Sequence, residues 1–175
     1  KEPFVWKHQS ALWNLGLALF SFCGMIRTVP HILHSIISRQ SLDYIMCGGD
    51  NFGDGAVGLW VMLFIFSKVP ELGDTVFLVF RKKKLMLLHW YHHISGLLFC
   101  WYSFANRSST CLYFVAMNYT VHAVMYFYYF LMCYRMKPKW FNPQWITIMQ
   151  ISQMVIGSGV SVRSYYLLLS KGDNA

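Results

Sequence analysis

The sequence predicts an all-α fold, a polytopic bundle of membrane-spanning helices, on three observations. Hydrophobic residues fill 56% of the 175 positions and charged residues only 13%, whereas an ordinary soluble domain carries about 25% charge. The apolar residues gather into five runs of about 20–30 residues, each long enough to cross roughly 30 Å of hydrocarbon. The basic residues fall between these runs and not along one face. The net charge of +8 therefore reads as a topology signal, and a nucleic-acid partner is not expected.

Taken in order, segment one runs from about Val5 to His34 and segment two from about Gly55 to Phe80. Segment three covers about Leu85 to Phe104, segment four about Thr110 to Tyr134, and segment five about Pro143 to Ser170. A Gly- and Asp-rich loop, Ser38 to Asp54, separates the first two. Alternation from a cytoplasmic Arg81-Lys82-Lys83-Lys84 turn puts Lys1, Lys7 and the Arg135–Lys139 linker on the same side. That side then holds nine basic residues against Arg39, Arg107 and Lys171 on the other, as the excess of cytoplasmic Lys and Arg requires. The chain begins at Lys1 and not at Met, and is expected to be a piece of a longer one. Of five cysteines, Cys23, Cys100, Cys111 and Cys133 lie in apolar runs and are expected to be small core residues. Cys47 lies in the polar loop and is a candidate for pairing with a cysteine elsewhere.

Polar side chains at membrane depth are costly, and so they mark functional sites. His89, His92 and His93, in Leu88-His89-Trp90-Tyr91-His92-His93-Ile94-Ser95, stand at i, i+3 and i+4 and share one helical face. At about 1.5 Å per residue, His92 and His93 lie roughly 12 Å from the cytoplasmic end. His122 lies at about 18 Å, with Asn118 about one turn deeper. Asp74, Glu71 and Lys68 fall at roughly 10, 15 and 19 Å, and Thr147, Gln150 and Gln153 at roughly 10 to 20 Å. Four segments thus place their polar groups in one slab.

Each group also has a plainer reading. Lys68, Glu71 and Asp74 stand at i, i+3 and i+6, so adjacent members can pair, and Lys68–Glu71 can be a structural ion pair. Pro70 is expected to kink the helix there. In Met117-Asn118-Tyr119-Thr120-Val121-His122-Ala123-Val124-Met125-Tyr126-Phe127-Tyr128-Tyr129, the face Asn118, His122, Met125 and Tyr129 forms a polar stripe. Thr147, Gln150 and Gln153 are either interhelical polar glue or a lining for a polar substrate head. The Arg81–Lys84 run is a topology determinant that would also draw in a polyanion such as coenzyme A.

Two chemistries suit the histidine box: metal ligation, and acid–base or nucleophilic work by neutral imidazole. A di-iron desaturase or hydroxylase needs more histidines at the same depth. His31 and His34 fall at the opposite face, some 20–30 Å away. Cys100 lies two turns, about 10 Å, beyond His93, too far to be the nucleophile. A channel or transporter is disfavoured because no internal repeat is present.

These motifs together resemble the ELO family of very-long-chain fatty acid elongases, the 3-ketoacyl-CoA synthases of the endoplasmic reticulum. The resemblance rests on Lys68 to Thr75, the box His89 to His93, Met117 to Tyr129, and Thr147 to Gln153 in that order. The run from Trp13-Asn14-Leu15 to Gly24 and Arg27 looks like the family's early helix. The resemblance implies one domain over 1–175, part of a seven-helix fold enclosing an acyl tunnel, with the first and last helices lacking here. It also implies decarboxylative condensation of malonyl-CoA with a long acyl-CoA, without metal or other cofactor, in a multi-pass endoplasmic-reticulum protein. His92 would be the acyl-accepting nucleophile, tuned by His89, His93 and Asp74, with His122 and Asn118 at the enolate. Lys68, Glu71, Tyr126, Tyr129, Thr147, Gln150 and Gln153 would bind substrate. Ketoacyl-CoA reductase, dehydratase and enoyl reductase are the implied partners.

Overall fold

Each apolar run forms helix in the computed structural model, and among the described residues no other regular element occurs. The structure describes residues 7–38, 55–80, 87–108, 110–136 and 141–172, and for 76–78, 80, 87–90, 92, 168, 171 and 172 the backbone alone. The helices are α1 (Lys7–Ile37), α2 (Gly55–Glu71), α3 (Gly73–Phe80), α4 (Leu87–Ala105), α5 (Cys111–Cys133) and α6 (Gln144–Gly172). Segment two, expected as one kinked helix, is two. Pro70, in the last turn of α2, has no N–H to donate, and its ring crowds the preceding turn. The chain closes there with tight i→i+3 bonds, Leu72 N–H to Val69 O and Thr75 N–H to Leu72 O, both 3.1 Å. The Ser38–Asp54 loop, Cys47 and the Arg81–Lys84 turn lie outside the described residues.

Among the described residues three helical stretches are long and apolar enough to cross a membrane: Lys7–Ile37, Gly55–Thr75, which runs from α2 across the break into α3, and Gln144–Leu167. The other two expected spans, α4 and α5, have 19 and 23 residues, or about 28 and 34 Å, and carry the box histidines and the Asn118–His122 pair along their lengths. For α5 the packing supplies the reason. Thirteen of its residues are buried, so protein rather than lipid surrounds Asn118, Tyr119, His122 and Tyr126. The chain is thus a polytopic helical membrane protein.

α1 runs antiparallel to α5 along its length. Lys7 Nζ lies 5.2 Å from the Tyr134 ring centre, Phe20 meets Tyr119 at 5.6 Å, and Lys7 and Arg135 share an end as the alternation requires. The close approach comes from small residues on α1: Ser10, Ala11, Ala18, Ser21, Gly24 and Thr28 are its buried positions. A Cβ added at Gly24 would overlap the Tyr119 ring. Tyr119 is the hub of the core, 1% exposed, with its ring 5.1 Å from Phe64 and its hydroxyl donating to Trp60 O at 2.9 Å. Of the four cysteines expected inside, Cys111 is buried and Cys100 and Cys133 are half-buried. Cys23 instead faces outward on α1, where a membrane-spanning helix meets lipid and not core.

The helix ends are explicit in the backbone. α4 and α5 both close in paired bonds: Arg107 N–H to Phe104 O with Ser108 N–H to Ser103 O, and Arg135 N–H to Met132 O with Met136 N–H to Leu131 O. Each puts an arginine in the left-handed region, φ 46° and 59°, a place glycine usually takes. The guanidinium charge there suits the negative end of the helix. Asn142 starts α6, its Oδ1 accepting Gln144 N–H at 3.0 Å, followed by Pro143 in the first turn.

Candidate active site

The polar residues of α2 meet those of α5 in register. Lys68 Nζ lies 2.8 Å from both carboxylate oxygens of Glu71 and donates to Asn118 Oδ1 at 2.9 Å. It also stands 4.1 Å over the Phe64 ring, an attraction that is stronger away from water. Ser67 Oγ donates to Glu71 Oε1 at 3.3 Å, and His122 Nδ1 is 3.7 Å from the same oxygen. Lys68, Glu71, Asn118 and His122 are all buried. A buried ammonium is tolerable only with its countercharge and hydrogen bonds in place. Asn118 turns its carbonyl to Lys68, so its NH₂ faces elsewhere. With Nδ1 toward Glu71, the His122 Nε2 faces away from the pair.

One turn further on, the row ends at Asp74. Its Oδ2 accepts from Tyr126 OH at 2.6 Å and its Oδ1 from Trp13 Nε1 at 2.8 Å. Tyr126, 1% exposed, sets its ring edge-on to His122, 5.3 Å between centres and 89° between planes. Asp74 thus ties α3 to α1 and α5. Nothing in the sequence gives Trp13 a polar role; the signal that finds it is that a half-buried indole N–H still seeks an acceptor.

The histidine box lies on α4, which runs antiparallel to α2 and α5: Phe66 meets Trp101 at 6.2 Å and Phe99 meets Phe114 at 5.0 Å. His93 is half-buried and in electrostatic reach of Glu71. The side chains of His89 and His92 lie outside the described ones. Among the described residues no group of three or more His, Cys, Asp and Glu side chains gathers around a possible ion, a statement that does not extend to His89 and His92.

The row on α6 shares the depth but not the cluster. Thr147 is exposed. Gln150 Nε2 reaches Met125 Sδ at 3.1 Å, on the side of α5 turned to α6. Gln153 is buried and lines an apolar cavity of about 320 Å³ with Val29, Tyr113, Met117, Val121 and Ile156. Tyr129, expected beside His122, is 42% exposed, with its ring 6.4 Å from that of Tyr126. The polar line on α5 runs Asn118, His122, Tyr126 in steps of four, and Met125 belongs to the α6 contact. Paired ions, an amide and an imidazole buried between α2 and α5 suit a substrate with a polar reacting group; the apolar cavity lies on the other face of α5, toward α1 and α6.

A sequence model described as the ELO (GNS1/SUR4) family matches residues 1–174. The chain is 41% identical over 165 residues to very long chain fatty acid elongase 6 of Drosophila melanogaster, an alignment covering 94% of this chain and 52% of that one. It is 42% identical over 172 residues to very long chain fatty acid elongase 6 of Gallus gallus, covering 97% and 62%. Against fatty acid elongase 2 of Trypanosoma brucei brucei the identity is 48% over 162 residues, covering 90% and 59%. The chain therefore spans between half and two thirds of the length of the curated relatives it matches. No solved structure matches it. With the family match running almost end to end, from residue 1 to residue 174, the chain belongs to the ELO family.

Proposed function

We propose that this protein lengthens long-chain fatty acyl-CoA by two carbons, condensing it with malonyl-CoA to give 3-ketoacyl-CoA, CO₂ and free coenzyme A. The observation that carries the reading is the buried Lys68–Glu71–Asn118–His122 cluster in a chain of the elongase family. The reaction has two stages. His92 attacks the acyl thioester carbonyl, the C–S bond breaks, and the thiolate leaves as protonated coenzyme A, its proton coming from the imidazole. The result is an acyl-imidazole. Malonyl-CoA then loses CO₂, and the electron pair of the broken C–C bond becomes the enolate of acetyl-CoA. Its carbon attacks the acyl group, the C–N bond breaks, and the imidazole leaves, taking up one proton from solvent.

Asn118 and His122 fit the enolate oxygen, since the Asn118 NH₂ faces away from Lys68 and the His122 imidazole is fixed edge-on to the Tyr126 ring beside Glu71. His89, His93 and Asp74 orient and tune the nucleophile. Lys68 and Glu71 keep Asn118 and His122 in place. The mechanism calls on no metal or other cofactor. The setting is the endoplasmic-reticulum membrane, and a ketoacyl-CoA reductase, a dehydratase and an enoyl reductase consume the product in turn.

The test uses the full-length, chelator-treated protein and acyl-CoA alone, read by intact mass and peptide mapping. One acyl group should appear on the peptide holding residues 89–93, vanish in His92→Ala, remain in His93→Ala, and leave when malonyl-CoA is added. Loss in His93→Ala but not in His92→Ala would move the nucleophile. Absence of both adduct and ketoacyl product would remove the condensing reading.

A further inference from the structure

The bond between Trp13 and Asp74 does more than pack α1 against α3. Asp74 stands immediately after the break at Leu72, where the helical ladder gives way to two i→i+3 bonds, so its carboxylate is not placed by a continuous helix. Trp13 supplies the placement in two ways. Its Nε1–H donates to Asp74 Oδ1 at 2.8 Å, and its ring covers the backbone at Gly73, where an added Cβ would lie 3.0 Å from Cζ2. The second carboxylate oxygen then meets the Tyr126 hydroxyl at 2.6 Å, and the Tyr126 ring bounds the His122 imidazole edge-on. A line of contacts leads from α1 to the ring that faces Glu71.

We propose that Trp13 is a positioning residue of the site: by holding Asp74 at the helix break, it fixes the Tyr126 hydroxyl and, through the Tyr126 ring, the orientation of His122. Its kinetic consequence rests on the condensing reading; its structural consequence does not. Trp13 lies away from the reacting atoms, so its loss should lower the rate of chemistry and leave substrate binding alone.

The experiment uses the full-length protein and Trp13→Phe, which keeps an aromatic ring and removes the N–H. The expected result is a fall in kcat of about tenfold with KM for both acyl-CoA and malonyl-CoA unchanged. Tyr126→Phe should give a similar fall, and the double variant little more than either, because both act through Asp74. Independently, hydrogen exchange at the amides of residues 72–76 should speed up in Trp13→Phe, with exchange in α5 unchanged. Wild-type kcat in Trp13→Phe, or fully additive losses in the double variant, would overturn the proposal. So would unchanged exchange at 72–76, and that readout decides it even where the wild type gives no ketoacyl product and the condensing reading fails. Should Trp13→Phe fold poorly, Gly73→Ala disturbs the same contact from the other side and should show the same kcat and exchange changes.

Discussion

At the scale of single residues, the site is governed by what it costs to bury Lys68. Its ammonium has Glu71 and Asn118 within 2.9 Å, and removing it leaves the Glu71 carboxylate in a dry place with weaker partners. Lys68→Met should therefore lower stability by about 3 kcal/mol or more, while Lys68→Met with Glu71→Leu should recover most of that loss and still be inactive. Thermal unfolding in detergent alongside ketoacyl product formation checks both statements; recovery of activity in the double variant would make the pair purely structural. Depth counting brings Lys68, Glu71, Asp74, Asn118 and His122 together from the sequence because helical rise is nearly constant. It fails for Gln150 and Thr147 because depth is one coordinate, and the direction a helix faces is another. Trp13 is hidden for a different reason: in an apolar helix its indole looks like any lipid-facing aromatic until its N–H partner is seen.

At the scale of elements, the i, i+3, i+6 row of α2 and α3 (Lys68, Glu71, Asp74) lies against an i, i+4, i+8 row of α5 (Asn118, His122, Tyr126). Rows of three packed on rows of four are the common pairing of helices crossing at about 20°. This explains why Tyr126 and not Tyr129 completes the line, a distinction that a face drawn on one straight helix does not make. The break at Leu72 is only half visible in the sequence. Pro70 signals a disturbance, but the hydrophobic pattern continues through Val76-Phe77-Leu78 and gives no stop. The α1–α5 contact depends on absent side chains. Gly24→Ala should push the Tyr119 ring and the two helices apart, lowering stability by about 1–3 kcal/mol. A melting temperature equal to wild type in that variant would show that the Tyr119 ring can shift at no cost.

At the scale of the whole molecule, α5 packs against α1, α2, α4 and α6, and the helix that carries Asn118 and His122 is thereby the one with the most buried residues among those described. A hydropathy reading ranks α5 low as a span for the same reason that it is suited to carry a site. The all-helical fold was legible because lipid leaves few alternatives to helices, and the boundaries held to within a few residues except where α2 and α3 divide. What the order of segments did not contain was which helix would sit in the middle. The central claim is that the cluster around His122, with the histidine box beside it, runs a condensation. The most direct measurement gives the full-length, chelator-treated protein labelled malonyl-CoA with acyl-CoAs of increasing length and follows the products by mass spectrometry. The account predicts a 3-ketoacyl-CoA two carbons longer than the substrate, one CO₂ for each, and loss of both in His122→Ala. No ketoacyl product at any chain length, or undiminished product in His122→Ala, would contradict it.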